Sequence, residues 1–172
     1  MSKYWMKIGF FNMNSTDRLL KLRKVTQEDC ELLWQWANDP IVRAASFSSE
    51  PIAWEDHIKW FNNKLISPNC YQFIGLNSED EPVGQIRFDI DSQLQAEVDI
   101  SIDSNKRGKG SAINLIKLSI SYLFKNTNVE IVNAIIKSEN TASINSFSKS
   151  GFECINQKIT DSFHVYHYVC KK

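Results

Sequence analysis

Neither sign of charge is in surplus here. The 172 residues hold 20 Lys plus Arg and 20 Asp plus Glu, a formal net charge of zero. A general nucleic-acid binder carries a basic excess to neutralise phosphates, so that class is excluded as a broad reading. A local basic patch for a phosphorylated ligand is not. Histidine is scarce, and the four cysteines, Cys30, Cys70, Cys154 and Cys170, show no Cys-x-x-Cys spacing. His57, His164 and His167 are not grouped with them, so no metal site is expected. No apolar run is long enough to span a bilayer. Met1–Phe11 is short, is broken by Lys3 and Lys7, and lacks the small-residue cleavage site of a secretory signal. Scattered thiols without such a signal point to a reducing cytoplasm and to no membrane partner. Internal repeats and low-complexity segments are also missing.

What is present is one domain's worth of chain with ordinary apolar content, 42%. Residues 1–17 read as an extension, either a tail or an added edge element, and residues 18–172 as the domain. Arg18–Val25 reads as a strand, and Thr26-Gln-Glu-Asp29 resembles a capping box. The helix behind it carries the stripe Leu32, Leu33, Trp36, Ala37 and stops at Asn38-Asp39-Pro40, because the residue before a proline avoids the helical region. A linker is expected from there to Pro51, then a helix from Trp54 to Leu65. Strands follow at Tyr71–Leu76, Pro82–Ile90 and Gln95–Asp103. In the last, Ala96, Val98, Ile100 and Ile102 alternate with Glu97, Asp99 and Ser101. After a basic, glycine-containing loop comes a long helix with Ile113, Ile116, Ile120 and Leu123 at helical spacing. A strand at Val129–Ile136, a short helix at Asn140–Ser150, and a hairpin of Phe152–Ile159 and Phe163–Val169 complete the chain. Three successive strands favour antiparallel pairing, and strand–helix–strand favours a parallel crossover. The expected fold is α/β (α+β), a mixed and mostly antiparallel sheet of about six to seven strands flanked by about four helices.

The sharpest local feature is Arg107-Gly108-Lys109-Gly110-Ser111-Ala112, between the alternating strand and the long helix. Gly108 and Gly110 permit backbone angles and close approaches that a side chain blocks. The first helical turn offers unpaired N–H groups, and Arg107 and Lys109 add charge, so the segment suits a pyrophosphate. It is neither a Walker A loop nor a dinucleotide fingerprint, since both spacings fail.

Ala96–Gly110 resembles the central motif of the GNAT acetyltransferases, whose signature Arg/Gln-x-x-Gly-x-Gly/Ala is matched by Arg107, Gly110 and Ala112. Asn140-Thr-Ala-Ser143 with Phe147, Lys149 and Gly151-Phe152 resembles a second element of that family, and the element order fits from Leu20 to Val169. The resemblance implies acetyl-CoA as co-substrate and direct transfer to an amine in a ternary complex. It implies that backbone near Ile100 and Ile102 pairs with the pantetheine arm, and that Arg107, Gly108, Lys109, Gly110, Ser111 and Ala112 hold the pyrophosphate. Asn140, Ser143 and Phe147 would then lie along the other side of the arm. One departure is Phe147, where many members carry a Tyr that protonates the leaving thiolate; Tyr166 and Tyr168 are weak substitutes.

An amine nucleophile must shed a proton. A tight hairpin around Asp91–Gln95 sets Arg87 opposite Asp99 and Asp89 opposite Glu97. The first pair would make Asp99 structural. The second would raise one carboxyl pKa, which suits a base. Glu97 therefore ranks first as general base, matching a Glu common there in the family, and Asp99 second. A slip of one residue would undo this pairing.

Trp36-Ala-Asn-Asp-Pro40, Val42-Arg43, Phe47, Ser49-Glu-Pro-Ile52, Glu55-Asp-His57 and Val83–Asp89 resemble acetyltransferases of nonulosonic acid (pseudaminic and legionaminic acid) pathways. The acceptor so implied is the free amine of a UDP-linked amino-dideoxy sugar, with Arg43, His57, Arg87 and Asp89 as its contacts. Several of those relatives carry Arg where this chain has Ala37. Two alternatives stay open: a protein N-terminus or polyamine as acceptor, and an inactive acyl-CoA-binding module. A homodimer is also left open.

Overall fold

The computed structural model describes residues 21–159 and 162–172. The expected extension, residues 1–17, lies outside the described residues, as do the start of the first strand and most of the Thr160-Asp161-Ser162 turn. Strand β1 (Lys21–Lys24) leads through a short 3-10 turn into helix α1 (Cys30–Ala37). The capping box forms as read: the Thr26 N–H donates to the Asp29 carboxylate at 2.8 Å.

The expected linker to Pro51 is corrected. Helix α2 (Pro40–Ala45) begins at once, with Asp39 accepting from the N–H groups of Ile41 and Val42. Pro40 ends one helix but is also suited to open the next, because its fixed φ is helical and its missing N–H would have had no partner. Helix α3 (Trp54–Ile66) precedes strands β2 (Cys70–Leu76), β3 (Pro82–Ile90) and β4 (Gln95–Ile102). Helix α4 (Ser111–Asn126), β5 (Ile131–Lys137), α5 (Thr141–Lys149), β6 (Glu153–Ile159) and β7 (His164–Lys171) follow.

The strands form one seven-stranded sheet in the order β1-β2-β3-β4-β5-β7-β6. Only β4 and β5 pair in parallel, as the crossover through α4 requires. Two cores cover the faces. On one, Leu115, Ile116 and Leu123 of α4 pack with Phe73, Ile86, Phe88, Ala96, Val132 and Phe147. On the other, Leu33 and Trp36 of α1 and Phe61 of α3 pack with Ile74 and Leu76. The sequence stripe on α4 is shifted: Ile113 is half-buried, while Leu115 and Ser119 are buried with Ile116 and Ile120.

The β3–β4 register is the expected one, Arg87↔Asp99 and Asp89↔Glu97. Its anticipated electrostatic consequence is not. Asp89 accepts from Lys64 Nζ at 2.7 Å and from Arg87 Nε at 2.9 Å. Burial works to raise its carboxyl pKa, but these cations outweigh it and hold the pKa below the usual range. Asp89 is therefore held in an ion-pair network with Lys64 and Arg87.

Candidate active site

The site starts where a ladder stops. β4 pairs with β5 only over Gln95–Glu97 against Ile131–Asn133. Beyond Glu97, β4 stays paired to β3 as far as Ile102, and β5 stays paired to β7 as far as Lys137. The facing edges of Val98–Ile102 and of the end of β5 are thus left without a ladder partner in the sheet. An extended polar chain that enters such a split can make the strand-like bonds the strands do not make to each other.

At the head of the split the chain turns through Gly108 (φ +74°) and Gly110 (φ +77°) into α4. A β-carbon at either position would meet nothing within 4 Å, so this corner is open, and only the left-handed backbone calls for glycine. The first-turn N–H groups of α4 follow directly, ahead of the bond from Asn114 N–H to the Gly110 carbonyl. Split, open corner and helix start together fit an elongated ligand carrying a diphosphate.

Across β4, on the other face of the sheet, lies a cavity of ≈ 380 Å³ between β2–β4 and α1–α3. Asp99 and Ser101 of the splayed strand line it together with Gln72, Gln85, Arg87 and Trp60. Strand β4 therefore offers its edge to the split and its side chains to the cavity.

Residues 19–153 match the family Acetyltransferase (GNAT) domain. The chain belongs to the GNAT acetyltransferases. It is an N-acetyltransferase of this type, with acetyl-CoA as acetyl donor. An uncharacterized N-acetyltransferase p20 of Bacillus licheniformis is 30% identical over 145 residues, covering 80% of each chain. Among solved structures, the spermidine N-acetyltransferase of Vibrio cholerae in complex with CoA and spermine has a TM-score of 0.81 at 19% identity. It covers 88% of this chain and 95% of that one. An aminoglycoside acetyltransferase in complex with coenzyme A and kanamycin has a TM-score of 0.76 at 17% identity, covering 90% and 95%. These last two show the shared GNAT fold.

In this GNAT chain the expected donor-side residues are placed as follows. Ile100 and Ile102 are half-buried against the α4-side core, on the strand that borders the split. Arg107 is turned back: Nη2 meets Asp39 at 2.8 Å, and Nε donates to the Ile102 carbonyl at 3.0 Å. Burial works to raise the Asp39 pKa, but Arg107 and the N–H groups of Val42 and Ile41 prevail and lower it. Arg107 thus ties the glycine corner to the start of α2. Lys109 is exposed, 3.3 Å from the Asn105 carbonyl. Ser111 Oγ lies 3.4 Å from the Lys106 carbonyl, and Ala112 is half-buried. Asn140 caps α5 by accepting the Ser143 N–H at 3.1 Å. Phe147 is 3% exposed and meets Phe152 edge-on with ring centroids 4.9 Å apart, so it packs the core. Tyr168 is buried in the same core, and Tyr166 packs against it.

On the acceptor side Asp99 lines the cavity, and Glu97, one pleat earlier on the same face, does not. Arg43, His57 and Arg87 line it too, while Asp89 lies outside. Arg43 is already engaged with the carbonyls of Ala37 (2.6 Å), Ser48 (3.2 Å) and Glu50 (3.4 Å) and with Ser46 Oγ (2.9 Å). It rigidifies α2 and the loop after it. His57 is buried, and since a carbonyl only accepts, its Nε2 must donate to Cys30 O at 2.9 Å. Arg87 spans Asp89 and Asp99 and lies over the Trp60 ring, 5.0 Å from its centroid.

Gln72, Gln85, Ser101 and Asp39 carry no assigned site role in the sequence, where Trp60 reads as a core or helix-face aromatic. A signal for the glutamines was present: Gln72 is a lone amide in an otherwise apolar strand, and Gln85 stands between Gly84 and Ile86 on the face of β3 that also carries Arg87 and Asp89. A polar group there must find a partner or a ligand.

Proposed function

We propose that this enzyme acetylates the free amine of a UDP-linked amino-dideoxy sugar, by direct transfer in a ternary complex. The observation that carries this reading is the character of the cavity. Two amides, a serine hydroxyl and an Arg–Asp pair converge beside an aromatic ring, Trp60. That set suits a ring bearing hydroxyl and amine groups, with directional polar contacts and one apolar face. Among the lining residues the carboxylates of Asp56 and Asp99 are matched by Arg43 and Arg87. A polyamine carries several positive charges and calls for an acidic excess, which this cavity lacks. The spermidine and aminoglycoside enzymes that share the fold carry out the same class of chemistry on other small amines.

The split would hold the pantetheine arm against β4, and the open corner at Gly108 and Gly110 would hold the diphosphate. Bound there, acetyl-CoA supplies an activated acyl carbon and a sulfur leaving group. Asp99, with Glu97 behind it, is the group positioned to take the proton of the acceptor ammonium. A sugar amine flanked by electron-withdrawing oxygens releases that proton more readily than a lysine amine, so a modest base suffices. Phe147 cannot protonate the departing sulfur as a tyrosine there would, and the thiolate is a fair leaving group without such an acid. The free cysteines support a reducing cytoplasm as the setting.

Coenzyme A release is to be measured with a UDP-linked 4-amino-dideoxy sugar, spermidine, kanamycin and an N-terminal peptide. Saturable turnover is expected with the sugar nucleotide. Turnover with spermidine or the peptide alone would remove this acceptor. Acetyl-CoA binding without turnover on any amine would make the chain a binding module instead.

A further inference from the structure

Three adjacent strands send polar side chains into one continuous chain of bonds on the cavity wall. Gln72 Nε2 of β2 donates to Gln85 Oε1 of β3 at 3.2 Å, and Gln85 Nε2 donates to Asp99 Oδ2 of β4 at 2.9 Å. The register explains the reach. Gln72 faces Arg87, Arg87 faces Asp99 and Gln85 faces Ser101, so Gln85 sits diagonally between the two residues it bonds. Gln85 is 6% exposed and cannot exchange these bonds for water at no cost.

The direction of the chain is fixed by one end of it. An ionised carboxylate only accepts, so Gln85 must turn its NH₂ to Asp99. Its carbonyl then faces Gln72, whose NH₂ must turn to meet it. Arg87 Nη1 places its charge near the same carboxylate oxygen, Oδ2, at 3.6 Å, an ion pair longer than a hydrogen bond. The amide donor and the guanidinium charge both lie on the Oδ2 side. Asp99 Oδ1 has no partner among the described residues, and the side chain is 53% exposed on the cavity wall.

We infer that Gln85, oriented by Gln72, is a positioning residue that holds Asp99 with Oδ1 turned to the acceptor. In the reaction the acceptor ammonium gives one N–H proton to Oδ1, and the freed amine bonds to the acetyl carbon. As the C–S bond breaks, coenzyme A departs as thiolate, and the second proton that the acylated nitrogen must shed passes through solvent to that sulfur. Gln85 exchanges no proton; it fixes which carboxylate oxygen takes one. This rests on the cavity being the acceptor site. It does not depend on which amine fills that site.

The test is a double-mutant cycle on kcat with saturating acetyl-CoA, using Gln85→Met, Asp99→Asn and the pair. Asp99→Asn is expected to lower kcat about a hundredfold, within the range for losing a positioned base. Gln85→Met is expected to lower it about tenfold, with the acetyl-CoA KM within about twofold of wild type, as for a loss felt in the chemical step and not in donor binding. The double variant should be no slower than Asp99→Asn alone, because Gln85 acts only through Asp99. Gln85→Glu serves as a second variant that keeps the shape. A carboxylate beside Asp99 would move the acidic limb of kcat/KM upward. Additive losses, an unchanged kcat in Gln85→Met or Asp99→Asn, or an unmoved acidic limb in Gln85→Glu would each overturn the inference. If wild type ignores the UDP amino sugar and turns over spermidine or kanamycin, the acceptor reading falls, and the same cycle run on that amine still decides the role of Gln85.

Discussion

His57 is 2% exposed, among Trp54, Trp60 and Phe61, and its ring Nε2 donates to the Cys30 carbonyl. Burial pushes its pKa below the ordinary value, and the carbonyl bond, which works the other way, is the smaller effect. The unfolded chain carries a histidine that titrates near about 6.5. Between that value and the lower folded one the unfolded state binds more protons. This residue's contribution to stability is therefore complete above about pH 6.5 and is lost as pH falls through the window, by up to about 1.4 kcal/mol per pH unit. Urea unfolding at pH 7.5 and pH 5.5 checks it: wild type should lose stability between them, and His57→Gln should lose clearly less. In the sequence, His57 stood out as a ligand candidate through the resemblance of Glu55-Asp-His57 to the sugar acetyltransferases. Its stacking between aromatic rings comes from the packing of α3 on α1, which residue types alone do not report.

At the scale of elements, the start of α4 is the most exposed to test. Gly110 holds φ +77° with open space around its α-carbon. Gly110→Ala should lower stability by about 1 kcal/mol through the left-handed backbone alone. It should also weaken coenzyme A binding by about tenfold, equivalent to about 1.4 kcal/mol, where the ligand approaches the backbone. Chemical denaturation and isothermal titration separate the two effects, and an unchanged affinity would remove this corner from the donor site. The strand alternation in β4 and the glycines before α4 were legible because a period of two and a short motif are local properties. Helix α2 was not. Pro40 reads as a stop, and only the Asp39 cap, shared between Ile41, Val42 and Arg107, shows that it is also a start.

For the molecule as a whole, the split between β4 and β5 separates the sheet into a β1–β4 half and a β5–β7–β6 half joined over three rungs, Gln95, Ala96 and Glu97. A ligand bridging those halves should stabilise the entire fold. At a hundredfold excess over Kd, coenzyme A is expected to add about 2.7 kcal/mol. For a domain of this size that raises Tm by about 5–10 °C. Scanning fluorimetry with coenzyme A and with adenosine, which lacks the diphosphate and the arm, measures it; equal small shifts would argue against the split as the donor site.

The amino-acid sequence by itself determined the element order apart from α2, the β3–β4 register and the family, because periodicity, turn residues and a glycine motif act over a few neighbouring positions. Tertiary structure alone decided what the charges and amides do. Asp89 is neutralised by Lys64 from α3, Arg107 is drawn to Asp39, and Gln72 and Gln85 meet Asp99 across three strands. Those partners are far apart in the chain, and electrostatic and hydrogen-bond energies depend on separations in space that only the folded sheet and its helices set.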